Sequence, residues 1–148
     1  MKKIIYGALA IVFAMVAISC DDDNDNDKVL EQTELPEAAR NFVELHFPQQ
    51  TITYTARDED DYKVILDDGI VIEFNLDGSW DEVKGNGVEI PASVIGSLPE
   101  SLLGYLSTNY SGVQIIRLEM DHGNYEIELS NRLELIFDLD GNFVRLDD

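Results

Sequence analysis

The sequence predicts an α+β fold built from two tandem α-β-β-β-β repeats, with antiparallel sheet and the helices packed on one face. Three observations lead there. Residues 35–85 and 98–148 align on each other without a gap at an offset of 63. Leu35-Pro36-Glu37 falls on Leu98-Pro99-Glu100, Tyr62 on Tyr125, and Phe74-Asn75-Leu76-Asp77-Gly78 on Phe137-Asp138-Leu139-Asp140-Gly141. Self-similarity at a fixed spacing means one supersecondary unit used twice. Each copy then opens with apolar residues at helical spacing and continues with apolar residues at a period of two.

The leader comes first. Residues 1–19 have a basic head, Lys2-Lys3, an apolar run from Ile4 to Ile18, and small residues before Cys20. That is the pattern of a secretory signal, and the run is shorter than the ~20 residues of a spanning helix. Cys20 is the single cysteine, so no intramolecular disulfide can form. A lone cysteine directly after a signal resembles the lipobox of bacterial lipoproteins, which implies that Cys20 is lipid-modified and becomes the first mature residue. Residues 20–33 then read as an anchor and tether. The run Asp21-Asp22-Asp23-Asn24-Asp25-Asn26-Asp27 repels itself and buries nothing. Acidic residues at that place also resemble the surface-export signal of Bacteroidetes lipoproteins.

Repeat 1 spans 34–85 and repeat 2 spans 98–148, with a connector at 86–97 that carries a short helical turn, Pro91 to Gly96. Pro36 and Pro99 suit a first helical turn, and Glu37 and Glu100 complement the positive end of the dipole. Ala39, Phe42, Val43 and Phe47 form one apolar helical face, and Leu102, Leu103, Leu106 and Tyr110 form the other. Pro48 and Ser111-Gly112 stop the helices.

Four strands follow each helix, at about 50–57, 61–67, 70–76 and 79–84, then 113–120, 124–130, 133–139 and 142–147. In the middle strands Tyr62, Val64, Leu66, Ile70, Ile72, Phe74 and Leu76 point to the core. Tyr125, Ile127, Leu129, Leu133, Leu135, Phe137 and Leu139 repeat this. Asp77-Gly78 and Asp140-Gly141 read as two-residue hairpin turns with both residues at positive φ. Asp68-Gly69 and Ser130-Asn131 turn the preceding hairpins. Trp80 matches Phe143 and reads as a packing residue. Whether the eight strands make one sheet or two is left open by the pattern.

This frame of Leu-Pro, amphipathic helix, Tyr-x-Val/Ile-x-Leu and Phe-x-Leu-Asp-Gly resembles the PepSY-like, β-lactamase-inhibitor-like proteins of Bacteroidetes. The resemblance covers both repeats and includes the Ile90-Pro91 lead-in. It implies a β-lactamase-inhibitor-protein-like fold with an exposed sheet face. It carries no catalytic residue over, because the shared motif is structural.

Composition narrows the partners. The chain has 30 acidic and 10 basic side chains, and losing residues 1–19 moves the net charge from −20 to −22. Such a surface repels phosphate backbones, which argues against nucleic acid, and leaves the lipid as the only membrane link. A basic secreted or envelope protein or peptide, or a divalent metal, remains as partner. Catalysis lacks support. His46 and His122 sit at non-equivalent places, and with so many carboxylates a close pair discriminates nothing. No cofactor is implied, with Ca²⁺ the one candidate, since it takes hard oxygen ligands. Asp23, Asp25, Asp27, Glu31 and Glu34 fall on EF-hand loop positions, but Lys28 stands where that loop needs Gly. Asp77 and Asp140 could lend carboxylates, though hairpin closure already explains them. The expected functional surface is the outward sheet face. Alternation places Lys63, Ile65, Val71, Glu73 and Asn75 there from repeat 1, and Glu126, Glu128, Glu134, Ile136 and Asp138 from repeat 2. The expected function is a non-catalytic, lipid-anchored module that grips a protein or peptide, with a calcium-responsive protein as the alternative.

Overall fold

A computed structural model of the chain describes residues 28–147. In order, the elements are β1 (Lys28–Val29), a 3-10 turn (Gln32–Glu34), α1 (Glu37–His46), β2 (Ile52–Arg57), β3 (Asp61–Leu66), β4 (Val71–Asn75), β5 (Trp80–Lys84), α2 (Ala92–Ile95), α3 (Glu100–Asn109), β6 (Ile115–Asp121), β7 (Asn124–Leu129), β8 (Glu134–Asp138) and β9 (Phe143–Asp147). The signal segment, Cys20 and the run Asp21 to Asp27 lie outside the described residues.

Among the described residues, nine strands form one antiparallel sheet in strict sequence order. The repeats meet where β5 pairs with β6, through Glu82↔Glu119, Val83↔Leu118 and Lys84↔Arg117. One sheet, not two, answers the question the sequence pattern left open. The core lies between the helices and one face. Ala39, Val43, Phe47, Leu102 and Leu106 pack with Val64, Ile72, Phe74, Val83, Leu118, Ile127, Leu135 and Phe137 in a single cluster. Burying a side chain of this size contributes about 1.5–3 kcal/mol, which is what period-two patterning supplies at every second residue.

The repeat is preserved in the packing. Phe74 meets Phe42 edge-on, with centroids 5.6 Å apart and planes at 82°, and Phe137 meets Tyr105 at 5.4 Å and 80°. Phe42–Phe47 and Tyr105–Tyr110 are both 6.3 Å apart. The Leu-Pro and Asp-Gly signatures recur together because they touch. A Cβ on Gly78 would lie 2.8 Å from Pro36 Cβ, and one on Gly141 would lie 2.7 Å from Pro99 Cβ and 2.9 Å from the Leu102 nitrogen. The Ser101 hydroxyl donates to the Asp140 carbonyl at the same junction. The turn thus seats the helix start, and glycine lets the backbones approach.

Four expectations need correction. The Asp-Gly hairpins are three-residue loops, not two-residue turns. Gly78 N–H donates to Asn75 O while Asn75 N–H donates to Ser79 O, and Gly141 and Asp138 repeat this. Only the glycines, φ 86° and 81°, are left-handed. That is a type I turn closed by a left-handed glycine. Leu76 and Leu139 therefore occupy the turn rather than the strand, and are 47% and 54% exposed instead of facing the core. Two consecutive positive φ angles occur instead at His122-Gly123, between β6 and β7, and at Asn86-Gly87, where Val88 N–H donates to Gly85 O. In repeat 2 the β7–β8 loop centres one residue later than Ser130-Asn131, since Arg132 (φ 69°) holds the place of Gly69 (φ 90°). Finally, the folded part starts before residue 34. Leu30 N–H donates to Thr55 O, the Thr55 hydroxyl returns a bond to Leu30 O, and β1 extends the sheet alongside β2.

Candidate functional site

The face opposite the helices is built by rows of side chains set by strand register. One row runs Lys63, Glu73, Glu82, Glu119, Glu126, Ile136, Arg145 across β3 to β9. Four consecutive strands, β4 to β7, thus place glutamates side by side. The adjacent row runs Ile65, Val71, Lys84, Arg117, Glu128, Glu134, Asp147. Directly opposed like charges are unfavourable in a sheet, so an arrangement of this kind is a cost that the fold carries.

Arg117 is the counter-charge inside the patch. It bonds Glu82 through Nε and Glu119 through Nη2, and its Nη1 stands 3.9 Å from Glu134. Burial opposes its charge, but the bond to Glu82 and the fields of Glu82, Glu119 and Glu134 outweigh this and raise its pKa. Lys63 reaches Glu73 at 3.5 Å. These cations do not balance the row. The Glu73 carboxyl is raised by burial and then by Glu82, with Lys63 opposing. Glu119 is raised by burial, against Arg117, with Glu82 and Glu126 adding to the rise. Glu126 is raised by burial and then by Asp121 and Glu134. Asp81 beside them is raised too, chiefly by burial. Burial is thus the first cause at each of these carboxyls, and the neighbouring carboxylates add to it.

The ten residues expected on this face divide into three groups. Lys63, Glu73, Glu126, Glu128 and Glu134 are half-buried members of the charged rows, and Ile65 and Val71 form a half-buried apolar pair beside them. Ile136 lies in the row but is only 3% exposed. Its cross-strand neighbours are the long side chains of Glu126 and Arg145, which shield a short aliphatic group. It therefore offers no contact surface. Asn75 and Asp138 serve their hairpins. Asn75 Nδ2 donates to the Ser79 hydroxyl, while Asp138 accepts from the Asn142 backbone and side chain at 2.8 and 3.0 Å. Sequence reasoning missed Glu82, Glu119 and Arg117, because alternation alone does not say that β5 and β6 are neighbours.

Asp77 accepts from Ser79 N–H at 2.9 Å and from its hydroxyl at 2.6 Å, bonds that lower its pKa. It is engaged in turn closure, and the Asp140 carbonyl holds Ser101. Glu31 and Glu34, two of the EF-hand positions, close a capping box on the 3-10 turn, and Lys28 stands 3.8 Å from Glu34. Among the described residues no group of three or more His, Cys, Asp or Glu side chains could hold a metal ion. Two equivalent grooves open at the C-terminal ends of α1 and α3. One of about 430 Å³ is lined by Arg40, Val43, Glu44, Phe47 and Ile52, and one of about 280 Å³ by Leu103, Leu106, Tyr110, Val113 and Ile115. Neither gathers convergent titratable groups of the kind a reaction needs.

A repeated helix-and-meander unit with one covered and one open sheet face defines an α+β, inhibitor-protein-like class. The chain belongs to the PepSY-like family described as "Putative beta-lactamase-inhibitor-like", whose model matches residues 23–70 and 60–145. It is similar to a "putative calcium-regulated periplasmic protein" of Bacteroides thetaiotaomicron, at 33% identity and TM-score 0.77, covering 84% of this chain and 98% of that one. A "putative periplasmic protein" of Bacteroides vulgatus is 31% identical, with TM-score 0.77 and coverage of 84% and 99%. A second, a "putative periplasmic protein of unknown function" from B. vulgatus, is 34% identical, with TM-score 0.76 and coverage of 82% and 99%. No curated protein matches the chain.

Proposed function

We propose that this is a non-catalytic lipoprotein of the cell envelope, anchored through Cys20, whose open sheet face binds a basic protein or peptide. The similarity to periplasmic proteins supports the envelope location. The observation that carries the binding role is the glutamate row Glu73, Glu82, Glu119 and Glu126, with three of its four carboxyls held above their usual range. A partner's lysines or arginines would relieve that repulsion, and Ile65 and Val71 add apolar contact at the rim. Among the described residues the chain begins at the β1 edge of the sheet, with β2 and β3 between it and Glu73 of β4. Reversing charge with Glu126→Lys and Glu128→Lys is expected to lower capture of envelope proteins by at least about tenfold. Undiminished capture would remove this face from consideration.

The name of the B. thetaiotaomicron relative favours a second reading, a calcium-responsive protein. Its ligands would come from the leader carboxylates Asp23, Asp25 and Asp27. Millimolar Ca²⁺, but not Mg²⁺, is then expected to raise the melting temperature of the wild type, with no rise in a chain carrying Asn at those three positions. Identical curves with both ions reject it.

A further inference from the structure

The repeat makes β5 and β9 equivalent strands, yet only β5 has neighbours on both sides. Val83, paired with Leu118 of β6, is fully buried, whereas its counterpart Leu146 is 44% exposed. Backbone direction follows from the ladder. Asp138 N–H donates toward β9, to Asn142 O, so Ile136 and Glu134 also face β9, as do their partners Arg145 and Asp147 toward β8. The N–H and C=O of Leu146 then face the open edge, as those of Val83 face β6. An exposed edge strand with aliphatic side chains, here Val144 at 53% and Leu146, is a template for another strand.

We propose that β9 is a dimer interface, joining two copies of this chain edge to edge across a two-fold axis at Leu146. In that register Leu146 pairs with Leu146 of the second copy through both backbone bonds, and the two side chains meet on the helix side of the sheet, as Val83 and Leu118 do. Arg145 then stands opposite Asp147 of the second copy, and Asp147 opposite its Arg145. The sequence Arg-Leu-Asp is complementary to itself when run antiparallel, and this selects a second copy as the occupant. Within one chain Arg145 already reaches Asp147, so both charges are held on the open face of the strand. Centring the axis one residue earlier would oppose Arg145 to Arg145. The net charge of each copy works against approach, so association strengthens as salt screens the long-range repulsion. The interface lies at the β9 end of the same two rows, two strands beyond Glu126, and does not rest on the binding role proposed for the glutamates.

Sedimentation equilibrium of the chain lacking residues 1–20, in about 0.3 M salt, tests it; every described strand and helix lies in that part. The wild type is expected to dimerise. Arg145→Asp and Asp147→Arg should each raise the dissociation constant at least about tenfold, and the double variant should restore it to within about threefold. Leu146→Pro, which removes an N–H facing the open edge, should abolish the dimer while leaving the urea midpoint of the monomer nearly unchanged. A wild type monomeric up to about 1 mM, a double variant no better than the singles, or singles that dimerise normally would each overturn the proposal.

Discussion

Phe74→Ala and Phe137→Ala are each expected to lower the unfolding free energy by about 3–5 kcal/mol in urea titrations, with one transition in both cases. Both rings are fully buried and occupy equivalent places. Each sits edge-on to an aromatic of its own helix, Phe42 or Tyr105, and Phe137 also meets Phe143 at 5.7 Å. Truncation forfeits the transfer energy of the ring and leaves a cavity that a close-packed sheet and helix cannot collapse to fill. Edge-on contacts add about 0.5–1.5 kcal/mol each, which makes Phe137 the costlier of the two. The single transition is the sharper expectation. The repeats share β5–β6 pairing and one contiguous cluster, so a defect in repeat 1 must be felt in repeat 2. If Phe74→Ala gave two transitions, with repeat 2 melting at its wild-type midpoint, the repeats would be separate folding units and the shared core would be refuted.

How much of this was legible depends on what each feature rests upon. Val64, Ile72, Ile127 and Leu135 announce their burial because strand geometry forces period-two alternation, whatever lies elsewhere in the chain. Leu76 and Leu139 continue the same period and yet are exposed. The alternation is broken there by a three-residue turn, and turn length is a backbone property to which hydrophobicity is blind. Glu82, Glu119 and Arg117 escaped notice for a different reason. They become a site only through β5–β6 pairing, a contact between residues far apart in sequence that no local pattern encodes. Burial of Ile136 has the same origin, since its cover comes from flanking strands. The β1 strand was hidden by an acidic leader whose charge implied a tether. Its pairing rests on backbone bonds and the Thr55 hydroxyl rather than on apolar side chains. Arg132 in a left-handed conformation could have been found by strict alignment with Gly69.

Arg117→Met is expected to cost about 2 kcal/mol at pH 7 and progressively less as the pH falls toward 4.5, read from urea midpoints across that range. The magnitude lies between an exposed pair, at most about 1 kcal/mol, and a buried one at about 3–5. The reason is that the Arg117 side chain is 26% exposed and its partners Glu82 and Glu119 are 13% and 25% exposed. The pH dependence follows from proton linkage. Glu73, Glu119 and Glu126 have folded pKa values above the ordinary 4.5. Groups raised in this way contribute stability that is fully present below 4.5 and lost as pH rises through their folded values. Wild type should therefore gain stability on acidification from neutrality. Asp77 and Asp138, whose pKa values are lowered by their turn bonds, oppose this only below 3.8, outside the interval. His46, lowered by burial, opposes it below 6.5, but it does so in wild type and variant alike and cancels in their difference. Removing Arg117 takes away the one cation that lowers Glu119, so the variant binds more protons when folded and recovers stability faster as the solution is acidified. A difference between the two proteins that stays constant from pH 7 to 4.5 would mean that Arg117 acts by packing alone, and the repulsion within the glutamate row would no longer account for an affinity toward basic partners.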